Sequence, residues 1–125
     1  MIEYMNHITR EYVRNNRHKT FLFGDNLQLK GLGGQAKEMR GEPNCVGVPT
    51  KNKPTMNDDA FFDDKDFHIN IQFIEDALVE AVKLCNKIIV IPSAGLGTGR
   101  AKLNEKAPIT YQYLQDRLKS LVEVM

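Results

Sequence analysis

Cysteine is scarce and carries no pattern: Cys45 and Cys85 stand alone, with no CxxC and no paired Cys/His spacing. That excludes a disulfide scaffold, and their apolar neighbours make both thiols reduced core residues. His7, His18 and His68 share no ligand spacing, and the aspartates from Asp58 to Asp66 lack the glycine and closing glutamate of a calcium loop. No metal or other cofactor is expected. A dominant charge is missing too: seventeen Lys+Arg against sixteen Asp+Glu leave +1, so no global field draws nucleic acid or a membrane surface. The longest strongly apolar run, Ile88 to Ile91, ends at Pro92 and is far too short to span a bilayer. No basic-apolar-small leader opens the text, so the expected compartment is the cytoplasm.

What is present suits a soluble globule with one real core: 42% apolar and 26% charged residues in 125. Without repeats, low-complexity tracts or Gly/Ser linkers, residues 1–125 read as a single domain. Thr9 to Asn16, in Arg-rich text (Arg10, Arg14, Arg17), predicts a short helix capped by Thr9, with a strand as the alternative. Thr20 to Phe23 predicts a buried strand closed by Gly24-Asp25-Asn26, and Cys45 to Val48 a second strand stopped by Pro49. A helical piece is expected around Gln35 to Arg40. Ile71, Ile74, Leu78, Val82 and Cys85 trace one face of an amphipathic helix. Lys87 to Ile91 is a third strand. From Pro108, the residues Tyr111, Leu114, Leu118, Leu121 and Met125 mark a last helix. Alternating strands and helices imply a small layered α/β fold with a mainly parallel sheet flanked by helices.

Two glycine-rich segments, Gly31-Leu32-Gly33-Gly34 and Gly95-Leu96-Gly97-Thr98-Gly99, each follow a strand and precede a helix. They should open on the same carboxyl edge of the sheet, where such folds bind ligands. Bare glycine backbone and successive N–H groups make both candidate phosphate cradles, against the simpler reading that glycine only permits tight turns. Neither segment is a Walker loop, which needs GxxxxGK[ST]. Neither is a dinucleotide fingerprint, because no acidic residue on a following strand lies about twenty residues on. Lys51, after Pro49-Thr50, is the lysine best placed to meet a phosphate; Lys30, Lys53, Arg100 and Lys102 read as solvated rim charges.

Gly24-Asp25-Asn26-Leu27 with Gly31-Leu32-Gly33-Gly34-Gln35-Ala36 resembles the macrodomain pattern of an Asn-bearing loop followed by a glycine turn. Ile91-Pro92-Ser93-Ala94-Gly95-Leu96-Gly97-Thr98-Gly99 resembles that family's second diphosphate loop. Val48 to Thr55 is similar to a Thr-Lys stretch of the terminal ADP-ribose glycohydrolase branch. The resemblance covers roughly residues 20–115 and implies a macrodomain-like fold that binds ADP-ribose or an ADP-ribosylated substrate. Asn26 would then face the distal ribose. Gly33 and Gly34 would flank the diphosphate and ribose from one side, and Gly95, Leu96, Gly97, Thr98 and Gly99 would wrap it from the other; Gly31, Lys51 and Ser93 complete the candidate ligand-binding set.

Two departures bear on turnover. The lysine and aspartate on which that branch relies correspond here to Arg40 and Gly99, and an arginine is a poor nucleophile. Hydrolysis of an ADP-ribosyl bond would have to proceed through water, with Asp25 and Asn26 as the catalytic pair. Each also fits a structural role, capping the turn through its side chain. Phe61, Phe62 and Phe67 are candidates to cover an adenine. The alternative from another class is a reader that holds the nucleotide without turnover. A nucleic-acid or protein-partner module built on Arg10 to Lys19 is disfavoured by neutral charge and the lack of interleaved aromatics.

Overall fold

The computed structural model describes residues 1–124. Met125, expected on the last helical stripe, lies outside the described residues. Four strands, β1 (Ile2–Met5), β2 (Lys19–Asn26), β3 (Cys45–Lys51) and β4 (Ile88–Pro92), form one all-parallel sheet in the order β1-β4-β2-β3. Helix α1 (Arg10–Asn15) joins β1 to β2, the short α2 (Ala36–Met39) joins β2 to β3, and α3 (Phe67–Lys83) joins β3 to β4. The one-turn α4 (Leu103–Lys106) and the long α5 (Pro108–Val124) follow β4.

Strand side chains alternate between faces, and the central strands show it. Phe21 and Phe23 of β2 and Val90 of β4 pack with Val13 of α1 and Ala36 and Met39 of α2. Leu22, Ile89 and Ile91 point the other way, against Ile74 and Leu78 of α3 and Leu114, Leu118 and Leu121 of α5. Both faces are therefore covered, which is why β2 and β4 read as continuous apolar runs.

Local chemistry sets the helix ends. Thr9 caps α1 as expected, its hydroxyl accepting from the Tyr12 N–H at 3.1 Å. Arg10, Arg14 and Arg17 converge on the buried carboxylate of Glu42 at 2.8–3.2 Å, tying α1 to the turn before β3. Helix α3 stops at Lys83, and Cys85 takes the left-handed conformation (φ +58°) that ends it. Cys85 is thus exposed rather than a core residue, whereas Cys45 is half-buried, its thiol pushed up to about 12 by burial.

Two further expectations need correcting. Pro49 does not stop the second strand, which continues to Lys51. β3 is an edge strand with β2 as its one neighbour, so a missing donor there is tolerated. β2 likewise runs on through Gly24, Asp25 and Asn26 instead of closing before them. No helix among the described residues is long and apolar enough to cross a membrane.

The acidic stretch before α3 caps α5 across the chain. Asp64 accepts from the Ile109 and Thr110 N–H groups, both at 2.9 Å, and from the Thr110 hydroxyl at 2.8 Å. Burial pushes its carboxyl up, but these donors outweigh it and hold the group below its ordinary 3.8. Asp64→Ala should destabilise the fold by about 1 kcal/mol at neutral pH. A depressed folded-state value means the stabilisation is complete above the unfolded value and lost as pH falls through the folded one. The difference in Tm between wild type and variant should therefore close in acid; a difference that persists at pH 2 contradicts the capping role.

Candidate functional site

β2 and β4 are neighbours, yet the chain leaves them toward opposite faces of the sheet. The loop after β2 leads to α2, which packs with Phe21 and Phe23, and the loop after β4 leads toward α5 on the other face. Such a divergence opens a crevice at the carboxyl ends of the strands. The crevice here is a cavity of about 420 Å³ bounded by both glycine loops, within the range of roughly 300–1,000 Å³ usual for small-molecule sites.

Among the residues singled out from sequence, Asp25, Asn26, Gly31, Gly33, Gly34 and Lys51 border the cavity from one side. Gly95, Gly97, Thr98 and Gly99 border it from the other. Ser93 and Leu96 do not. Ser93 is exposed at the end of β4, its N–H bonded to the Met5 carbonyl, and Leu96 is 1% exposed within the main core. Phe61, Phe62 and Phe67 also lie outside the cavity wall.

The first loop takes its shape from one ion pair. Arg40, just past α2, presents Nη1 to Asp25 Oδ2 at 3.0 Å and Nη2 to Oδ1 at 2.6 Å. The same guanidinium donates to the Lys30 and Gly31 carbonyls and lies 5.6 Å from the centre of the Phe23 ring. Asp25 Oδ1 also accepts the Asn26 N–H at 2.8 Å. Asn26 closes the turn, its Nδ2 donating to the Lys30 carbonyl and its Oδ1 accepting from the Gln28 N–H. Both residues read as the catalytic pair are buried, and their side chains are already engaged.

A β-bulge between β2 and β3 shapes the same side of the cavity. Asp25 pairs with Pro49 and Asn26 with Lys51, so Thr50 is an extra residue, and Thr50 and Lys51 both border the cavity. Lys51 is 7% exposed; its Nζ donates to the Thr55 carbonyl at 2.6 Å and lies 5.1 Å from the centre of the Phe61 ring. Burial, and then the nearby charge of Arg100, hold its pKa below the ordinary 10.5. Around the cavity, four cationic side chains (Lys30, Arg40, Lys51, Arg100) face one carboxylate, Asp25. Arg40 pairs with that carboxylate, and no acidic group among the described residues pairs with Lys51 or Arg100.

The second loop is built around Gly97. Its φ of +83° and the proximity of Leu103, 3.0 Å from where a Cβ would stand, leave no place for another residue. Its carbonyl accepts from the Leu103 N–H at 2.7 Å. From sequence, Arg40 was matched only to a lysine position of the resemblance and Arg100 read only as a rim charge. Asp25, the partner of Arg40, and Gly33, beside which Arg100 lies, are 15 and 67 positions away, and a local reading of spacing does not connect them. No group of three His, Cys, Asp or Glu side chains among the described residues could hold a metal ion.

Residues 3–117 match the model of a family of unknown function, DUF7831, and the chain belongs to that family. No curated protein and no solved structure matches it, and nothing in these comparisons identifies a macrodomain.

The pair at the end of β2 depends on Gly47. A Cβ there would fall 2.5 Å from Asp25 Oδ2 and 2.9 Å from Asp25 Cβ. Gly47→Ala should therefore displace the carboxylate from Arg40 and destabilise the protein by about 1–3 kcal/mol in urea denaturation. An unchanged midpoint would show that the pair does not hold this corner together.

Proposed function

We propose that this member of the DUF7831 family binds a nucleotide diphosphate of the ADP-ribose class in the cavity between its glycine loops. The observation that carries the reading is that the buried Lys51 and the exposed Arg100 both border the cavity with no carboxylate paired to either among the described residues. Burial and, after it, the charge of Arg100 disfavour the charged form of Lys51, and an anion bound near both would offset that. A diphosphate is the natural complement to cations gathered beside glycine-rich main-chain loops. The macrodomain resemblance of the segments from Gly24 to Ala36 and from Ile91 to Gly99 supplies the rest: a ribose beyond the diphosphate, toward Asn26.

Binding without turnover is the form of this function that the site favours. A general base needs a free lone pair facing the attacking water. Asp25 offers its oxygens to the Arg40 fork and to the Asn26 N–H, so a water must compete with a charge-assisted pair for the same acceptors.

ADP-ribose at a hundred times its dissociation constant should add about 2.7 kcal/mol of stability, seen as a raised Tm, and Lys51→Met should abolish the shift. Mono-ADP-ribosylated protein should be captured without release of free ADP-ribose. A melt unmoved by millimolar ADP-ribose overturns the binding reading, and steady release of ADP-ribose overturns the reader in favour of a hydrolase.

A further inference from the structure

Arg100 belongs to the second loop, but its side chain reaches the first. A Cβ built on Gly33 would fall 2.7 Å from Arg100 Nη1, 3.3 Å from Cζ and 3.7 Å from Nε. The guanidinium thus occupies the space that a side chain at position 33 would fill. Arg100 is exposed, and among the described residues it makes no hydrogen bond and no ion pair. Lys51 borders the cavity from the end of β3, its Nζ donating to the Thr55 carbonyl.

We propose that Arg100 is a clamp that closes from the second glycine loop onto the first and, with Lys51, selects ligands carrying two linked phosphates over those carrying one. Arg100 brings a planar fork suited to two phosphate oxygens, and Lys51 a point charge held by the wall. A single phosphate satisfies one of these cations. A diphosphate reaches both and joins the two loops through Arg100. Gly33 is then a specificity-determining position, since any side chain there displaces the clamp. The inference rests on the nucleotide-diphosphate reading of the cavity and deepens it.

The test is calorimetric titration of AMP, ADP, inorganic pyrophosphate and ADP-ribose into wild type, Arg100→Ala, Arg100→Lys, Gly33→Ala and the double variant Gly33→Ala/Arg100→Ala. Arg100→Ala should weaken ADP and pyrophosphate about tenfold or more, the loss of a charge-assisted contact, and leave AMP nearly unchanged. Arg100→Lys should recover part of the loss. Gly33 does not lie in the left-handed region, so alanine there perturbs Arg100 and not the backbone. Gly33→Ala should weaken ADP in the wild type and have little further effect once Arg100 is gone. Equal losses for AMP and ADP, or a Gly33→Ala effect that is the same in both backgrounds, overturn the clamp. Tight ADP-ribose binding indifferent to Arg100 overturns the clamp and leaves the proposed function standing. Arg100-dependent binding of ADP and pyrophosphate, both tighter than AMP, with no binding of ADP-ribose does the reverse.

Discussion

The bidentate contact between Arg40 and Asp25 is the constraint on which the cavity depends. The loop after β2 has no regular structure from Leu27 until α2 begins at Ala36, and its carbonyls at Lys30 and Gly31 are held by the same guanidinium that holds Asp25. A pair this shielded gives little net stability, because desolvation offsets much of the attraction. What it supplies is position. Asp25 sits at the carboxyl end of β2, Arg40 at the end of α2, and Gly47 on β3 leaves the room their contact requires. Three elements are thereby registered at one point, and the first wall of the cavity follows from it.

The sheet order supplies the second wall. β2 and β4 lie side by side, and their following segments run to opposite faces, so the loops part rather than cross. Continuous apolar strands with both faces covered leave polar backbone only at the strand ends. Glycines with positive φ, such as Gly95 and Gly97, let that backbone turn without a side chain filling the crevice. The charge imbalance of the cavity then arises beside a chain whose overall charge is +1. The local field, not the total, carries the chemical information.

Much of this was readable in the residues, and the failures have identifiable causes. Phe21 to Phe23 and Ile88 to Ile91 announce buried strands because burial on both faces needs unbroken apolar text. The convergence of the two glycine loops followed from strand–helix alternation and parallel pairing. β1 was invisible because Ile2-Glu3-Tyr4-Met5 is a half-exposed edge strand with no clear alternation, completed by pairing with β4. Pro49 misled because its effect depends on whether a strand has one neighbour or two. Leu96 fell within a glycine motif but points into the core, a matter of loop conformation that spacing does not encode. Cys85 looked like the last rung of a helical stripe that ends two residues before it.

Arg40 shows why a position matched by motif must still be read as chemistry. It stands where the resemblance calls for a lysine, and a cation remains there. Lysine is a flexible point charge whose amine becomes nucleophilic when it loses its proton, whereas arginine keeps its charge and presents a rigid fork. The fork reaches Asp25 and two loop carbonyls at once, which a single ammonium does less well. An arginine at this position is a poor nucleophile and a strong brace, and its fork occupies both oxygens of the Asp25 carboxylate. Under the proposed reading, the arrangement that makes the cavity rigid enough to hold a diphosphate is also the one that withholds the groups needed to cleave what is attached to it.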